Sequence, residues 1–207
     1  MPHRPRSKPS GDAGRAGLLW LAAARPPADA AWHARQALGL SASEQARLAR
    51  IARPARREQF VSAHVALRRL AAAALGGACD GPAVEVDPHG RPLIAAGGLA
   101  ATIAHAGPHV AVAVAQWPSE SRAAYIGVDL ERVTSTRPAG LLERWTASEA
   151  IWKAGADGGG SVWLARWNGC VLAVAGLTAP PAVGWHALVG PGGARPLDLD
   201  WRCAPAR

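Results

Sequence analysis

Asp129 and Glu131 give the clearest chemical signal in this chain. The run Ile126-Gly127-Val128-Asp129-Leu130-Glu131 alternates, so Ile126, Val128 and Leu130 face one side of a strand while Asp129 and Glu131 share the other. Like charges held that close repel unless a cation or strong donors lie between them. Two or three carboxylate oxygens suit a Mg²⁺ that also holds phosphate oxygens. Gly127, on the same face, is expected to leave room for a ligand against the backbone. An ordinary edge strand with a solvated acidic face carries the same pattern.

A second cluster follows at Trp145-Thr146-Ala147-Ser148-Glu149-Ala150-Ile151-Trp152-Lys153, where helical spacing puts Glu149 and Lys153 on one face. Two readings stand side by side. Thr146 and Glu149 match a capping box, and Glu149 ahead of Lys153 is the favourable order for a surface ion pair, so helix geometry alone accounts for all three. Alternatively, Glu149 completes a three-carboxylate metal site and Lys153 neutralises charge on a transferred phosphoryl group. Lysine occurs only at Lys8 and Lys153, which sets the internal one apart.

The elements that must position these residues alternate between helix and strand. After an apolar run at Leu18-Leu19-Trp20-Leu21, Ser41 and Glu44 form a capping-box pattern that opens a helix to about Ala52. Pro54 interrupts it. From Ala55 a longer helix lines up Phe60, His64, Leu67, Ala71 and Leu75 and ends at Gly76-Gly77. Val84 to Val86 and Leu93 to Ala95 read as a hairpin about an Asp87-Pro88-His89-Gly90 turn. Strands are expected at Val110 to Ala115 and Tyr125 to Glu131, then a polar segment, Arg132 to Gly140, and a helix from Thr146 to about Ala154 closed by Gly155. Val162 to Leu164, Cys170 to Ala175 and Val183 to Val189 complete the strands. This order suggests an α+β fold of two similar halves, each a helix on a small, mostly antiparallel sheet. No repeat is visible in the sequence itself.

Composition excludes several classes. A chain of 207 residues can bury a real core and suits one compact unit: a basic, disordered arm over 1–16, an N-terminal half over 17–117 and a C-terminal half over 118–207. No apolar stretch approaches the roughly 20 residues of a membrane-spanning helix. Cys79, Cys170 and Cys203 are odd in number and lack metal-ligand spacing, against a disulfide framework or a zinc site. The cytoplasm is the expected compartment. The net charge of +8 would attract polyanions, but no aromatic residues interleave with the basic ones as a stacking platform, so nucleic acid is not favoured as a partner.

Taken in order, the motifs resemble one known family. Arg57-x-x-Phe60-x-x-x-His64-x-x-x-Arg68, His89-Gly90-Arg91-Pro92, Ala104-His105-Ala106-Gly107, the strand Gly127-Val128-Asp129-Leu130-Glu131, and Trp145-Thr146 with Glu149-Ala150 and Lys153 resemble the surfactin-type 4′-phosphopantetheinyl transferases over about Leu40 to Ala154. The resemblance implies two halves related by a pseudo-two-fold, Mg²⁺ as cofactor, coenzyme A as substrate, and transfer of its phosphopantetheine arm to a serine of an acyl or peptidyl carrier protein, as a monomer. It would make Asp129, Glu131 and Glu149 the metal ligands. Glu149 and Lys153 would be the catalytic pair, with Lys153 near the coenzyme A phosphates. His105 would contact the 3′-phosphate, Arg91 would flank the nucleotide, and Arg56 and Arg57 would face phosphate. Ala106, Ser148 and His64 stand where the family prefers serine, lysine and arginine, and the interval from Asp129 to Glu149 is about half the family's length. A member that binds coenzyme A or a carrier protein without transferring anything is the alternative.

Overall fold

The computed structural model describes residues 18–24, 29–76, 81–88, 90–94, 98–116, 126–155, 161–177, 184–186, 195–196 and 199–204. In chain order these form β1 (Leu18–Ala24), α1 (Ala30–Leu38), α2 (Ala42–Ala49), α3 (Pro54–Ala74), β2 (Val84–Val86), β3 (Pro92–Ile94), β4 (Leu99–Ala106), β5 (His109–Gln116), β6 (Gly127–Arg132), α4 (Ala139–Ala154), β7 (Ser161–Trp167), β8 (Cys170–Leu177), β9 (Gly184–His186), β10 (Arg195–Pro196) and β11 (Arg202–Ala204). The arm at 1–16, Cys79, His89 and the glycine run at 158–160 lie outside the described residues.

The fold is α+β with two sheets. One runs β10-β9-β1-β5-β4-β3-β2 and the other β11-β7-β8-β6; all pairings are antiparallel except that of β1 with β9. Strand alternation builds four layers. Val110, Val112 and Val114 of β5 face α3 in one core, while Ala111, Ala113 and Ala115 face the second sheet. In β8, Leu172 and Val174 face the first sheet, and Val171, Ala173 and Ala175 face α4. The small alanines of β5 let the two sheets approach closely. Among the described residues no helix is long and apolar enough to cross a membrane.

The local signals explain most boundaries. Ser41 caps α2 with both halves of the capping box made, its hydroxyl taking the Glu44 amide and its own amide donating to Glu44 Oε2 at 2.7 Å. Pro54 stands at the first turn of α3, where its missing N–H costs nothing. Helix α1 has no counterpart in the sequence reading; its cue is Asp29, whose side chain accepts the Trp32 amide.

Two expectations need correction. The last helix begins at Ala139, not Thr146, so Thr146 is no cap: it is buried in mid-helix and donates its hydroxyl to Leu142 O at 2.6 Å. The driving pattern is Leu142, Thr146, Ala150 and Ala154 at four-residue spacing, all buried against the second sheet. Nor does Gly127 leave room for a ligand. A Cβ there would lie 1.9 Å from Ala150 O and 2.7 Å from Ala154 N, so the space is filled by the backbone of α4, and glycine is what lets strand and helix cross this closely.

Candidate functional site

The close crossing at Gly127 decides the geometry of the acidic strand. With α4 against β6, Lys153 reaches across to the strand, donating to Asp129 Oδ1 at 2.6 Å and to Val128 O at 3.1 Å. The expected surface pair between Glu149 and Lys153 is thus replaced by a tie between helix and strand. Strand β6 is the edge of its sheet, and Thr102 Oγ1 on β4 accepts the Val128 amide at 3.2 Å, pinning the acidic strand to the first sheet.

Asp129 is 7% exposed, and its second carboxylate oxygen, Oδ2, is buried with no hydrogen-bond partner. Such an oxygen has lost its water without compensation, a cost of about 1–3 kcal/mol. Glu131 pairs with Arg137 at 3.7 Å. Its carboxyl is held above the usual range by burial and then by the charge of Asp129, with Glu149 adding to the effect; Arg137 and a hydrogen bond from Trp145 offset part of it. Glu131 therefore feels both of the other carboxylates. Among the described residues no three His, Cys, Asp or Glu side chains are closed into a ligand set. The donor chemistry still fits a hard divalent cation: an orphaned carboxylate oxygen on Asp129, and a neighbouring carboxyl, Glu131, whose ionisation Arg137 only partly offsets.

A cleft opens on the other side of the first sheet's end, between α2, α3, the β2–β3 turn and β4. Arg47, Arg56, Phe60, His64 and His105 are among its lining residues. Arg56 donates to Gln59 Oε1 at 2.8 Å, and Gln59 in turn donates to Gly107 O in the β4–β5 turn, which holds the guanidinium beside His105. Arg47 was not singled out by the sequence. Its Nη1 is buried without a partner and its guanidinium lies 5.2 Å from the centre of the Phe60 ring; burial lowers its pKa. An unsatisfied guanidinium nitrogen in a cleft holding a second arginine is an arrangement for an anion.

The other sequence-derived candidates divide. Arg57 turns away from the cleft and closes the end of α2, donating to Leu48 O at 2.7 Å. Arg91 sits in the β2–β3 turn between Gly90 and Pro92, which line the cleft; its amide donates to Asp87 Oδ1. His64 is buried, with its Nδ1 2.7 Å from Glu44 Oε1 and its ring stacked on Phe60.

His105 joins the two groups. Its ring opens into the cleft, yet its pKa is lowered to about 4, by the desolvation of its surroundings first and then by the charges of Arg56 and Lys153. His105 thus feels a charge that lines the cleft, Arg56, and the charge seated at Asp129, Lys153. The folded value lies below the ordinary 6.5, so the unfolded chain takes up the proton first. This group's contribution to stability is intact above pH 6.5 and is lost as pH falls from there towards 4. In an NMR titration the His105 ring is expected to stay neutral at pH 7 with a midpoint near 4, and to move upward when a phosphate monoester fills the cleft. An unshifted midpoint with phosphate bound would remove His105 from the anion site.

No family model matches the chain, and no curated protein matches it.

Proposed function

We propose that this protein transfers the 4′-phosphopantetheine arm of coenzyme A to a serine of an acyl or peptidyl carrier protein. The observation that carries the proposal is the pair Arg47 and Arg56 in a cleft shared with the neutral His105, together with Lys153 seated at Asp129 and the neighbouring Glu131 and Glu149. Coenzyme A has the matching sequence of charges: a 3′-phosphate monoester, then a pyrophosphate. The monoester fits the cleft at Arg47, Arg56 and His105, and the pyrophosphate then falls beside Lys153 and the carboxylates. The order of elements supports the same reading, because α3 is followed, after the short β2–β3 hairpin, by the β4–β5 hairpin, and α4 by the β7–β8 hairpin. We take the two units as halves related by a pseudo-two-fold, with the ligand between them.

In this scheme Mg²⁺ would be held by Asp129 through Oδ2, by Glu131 and by Glu149, and when bound it would neutralise and orient the pyrophosphate oxygens. The chain's own groups do the rest. Glu149 accepts the proton of the carrier-protein serine. The serine oxygen then bonds to the β-phosphorus as the bond to the leaving 3′,5′-ADP breaks, and Lys153 stabilises the charge gathering on the phosphoryl oxygens.

The hold of Lys153 on Asp129 also favours a second reading, in which coenzyme A binds but nothing is transferred. Calorimetric titration separates both from an unrelated function. Coenzyme A is expected to bind more tightly with Mg²⁺ than without it, and dephospho-coenzyme A more weakly than coenzyme A; equal affinities of the two ligands would sink the assignment of the cleft. Mass shift of an apo carrier protein then decides between transfer and binding alone, with Asp129→Ala expected to abolish the Mg²⁺-dependent reaction.

A further inference from the structure

Of the three carboxylates, Asp129 is the one already matched by a cation of the chain itself. Neither of its oxygens is open to an arriving ion: Oδ1 takes the Lys153 ammonium at 2.6 Å, and Oδ2 is enclosed without a partner. The lysine side chain is 24% exposed and the aspartate side chain 10%, so the ammonium, rather than the carboxylate, meets the solvent. Glu131 and Glu149 are held more openly. Both are half-buried, and Glu131 has Arg137 at 3.7 Å and a hydrogen bond from Trp145.

A carboxylate with so little access to water needs a counter-charge, and here Lys153 supplies it. A divalent cation at Asp129 would supply the same charge, and two cations on one carboxylate repel each other. The lysine has the means to move. Its ammonium carries three donors on a flexible stem, and the acceptors that hold it are Asp129 Oδ1 and, at 3.1 Å, Val128 O. It can therefore keep the backbone contact while leaving the carboxylate, and a phosphate oxygen beside it is the acceptor that would draw it away.

We infer that Lys153 regulates the carboxylate site as a resident counter-ion: its ammonium and a divalent cation compete for Asp129, and a phosphate group that draws the ammonium aside opens Asp129 to the cation. The inference rests on the transfer reading only for the place of the cation, and adds to it an order of events. A divalent cation alone meets a carboxylate that is already matched, and binds weakly. Cation and polyphosphate instead bind as a linked pair, each raising the affinity for the other, because each removes a contact that the other must displace.

The test measures Mn²⁺ binding to the full chain without coenzyme A, from the paramagnetic resonance signal of the free ion. Lys153→Met is expected to bind Mn²⁺ about tenfold more tightly than the wild type, the scale on which partners of metal ligands act. Adding Asp129→Asn to that variant is expected to abolish the gain. Equal or weaker binding in Lys153→Met overturns the inference, and so does a gain that survives Asp129→Asn. A measurement on the wild type guards against a misfolded variant. Lysine occurs only at Lys8 and Lys153, so ¹⁵N-labelled lysine gives an NMR probe of the internal ammonium; Mg²⁺ is expected to shift the Lys153 signal and leave that of Lys8 in place. A Lys153 signal unmoved at saturating Mg²⁺ overturns the inference as well. Coenzyme A titration reports separately on the transfer reading: tighter Mn²⁺ binding by Lys153→Met in a chain without affinity for coenzyme A upholds the counter-ion role and removes the transfer, whereas Mg²⁺-dependent coenzyme A binding with no gain in Lys153→Met does the reverse.

Discussion

Replacing Lys153 by Met is expected to reduce carrier-protein loading by roughly two to three orders of magnitude at saturating coenzyme A and Mg²⁺, the usual effect of removing one preorganised charge donor from a transition state. The structure adds a stability effect that a surface ion pair would not have. Lys153 ties α4 to β6 through Asp129 Oδ1 and Val128 O, and Asp129 has little access to water. Without the ammonium the carboxylate keeps its burial and loses its counter-charge, a loss of about 2 kcal/mol, typical of a hydrogen bond between charged groups. Mg²⁺ discriminates between the two roles. A cation at Asp129 replaces the missing positive charge, so unfolding in urea should show the deficit of Lys153→Met in a chelator and a smaller one with Mg²⁺, while loading stays low in both. Full loading activity in the variant would strip Lys153 of its catalytic role. A deficit indifferent to Mg²⁺ would count against the metal assignment at Asp129.

The same pair shows what sequence reasoning could and could not reach. Alternation along Ile126 to Glu131 put Asp129 and Glu131 on one face, and the strand β6 follows that pattern. It could not say what stands opposite, because the distance between a strand and a helix is set by side chains from both. Gly127 was read as space for a ligand, whereas that space belongs to Ala150 and Ala154 of α4. The capping boxes make a similar contrast. Ser41 and Glu44 form one because Leu40 and Ser41 lie outside the helix; Thr146 and Glu149 have the same spacing but Leu142 upstream is a core residue that extends the helix past them. A cap depends on the residues before it not being helical, and three-residue spacing alone does not test that. Arg47 carries no signal in the sequence because an arginine in the second turn of a polar helix looks solvated in one dimension, and only the packing of α2 on α3 turns it into the cleft.

Glu44 has a role of the same hidden kind. The sequence reads it as a capping residue, worth about 1 kcal/mol. In the fold it is 0% exposed and serves three partners: the Ser41 amide at 2.7 Å, His64 Nδ1 at 2.7 Å and Arg68 at 3.6 Å. Burial would raise its carboxyl pKa, but the His64 hydrogen bond and the Ser41 amide and hydroxyl outweigh it and bring the pKa below the ordinary 4.5. Burial lowers the His64 pKa, the opposing pull of Glu44 notwithstanding. At neutral pH, then, a neutral imidazole donates from Nδ1 to an ionised carboxylate. Glu44→Ala leaves a buried histidine and a helix-cap amide without their acceptor and Arg68 without its counter-charge, and is expected to cost about 3–5 kcal/mol, since each buried donor left unsatisfied costs about 1–3. The anion cleft should weaken with it, because α2 carries Arg47 and α3 carries Arg56, and Glu44 to His64 is, with Arg57 to Leu48 O, a side-chain bond that holds the one helix on the other. Glu44→Gln keeps an acceptor for His64 and should recover most of the loss. The pH dependence has a definite sign: a depressed carboxylate stabilises fully above the unfolded value of 4.5 and ceases to do so as pH falls through the lower folded value. Urea unfolding of the wild type and both variants between pH 7 and pH 3 measures this. If Glu44→Ala costs only the 1 kcal/mol of a cap, or if its deficit persists unchanged at the acid end, Glu44 is not the buried link between the two helices and the cleft must be held open by other contacts.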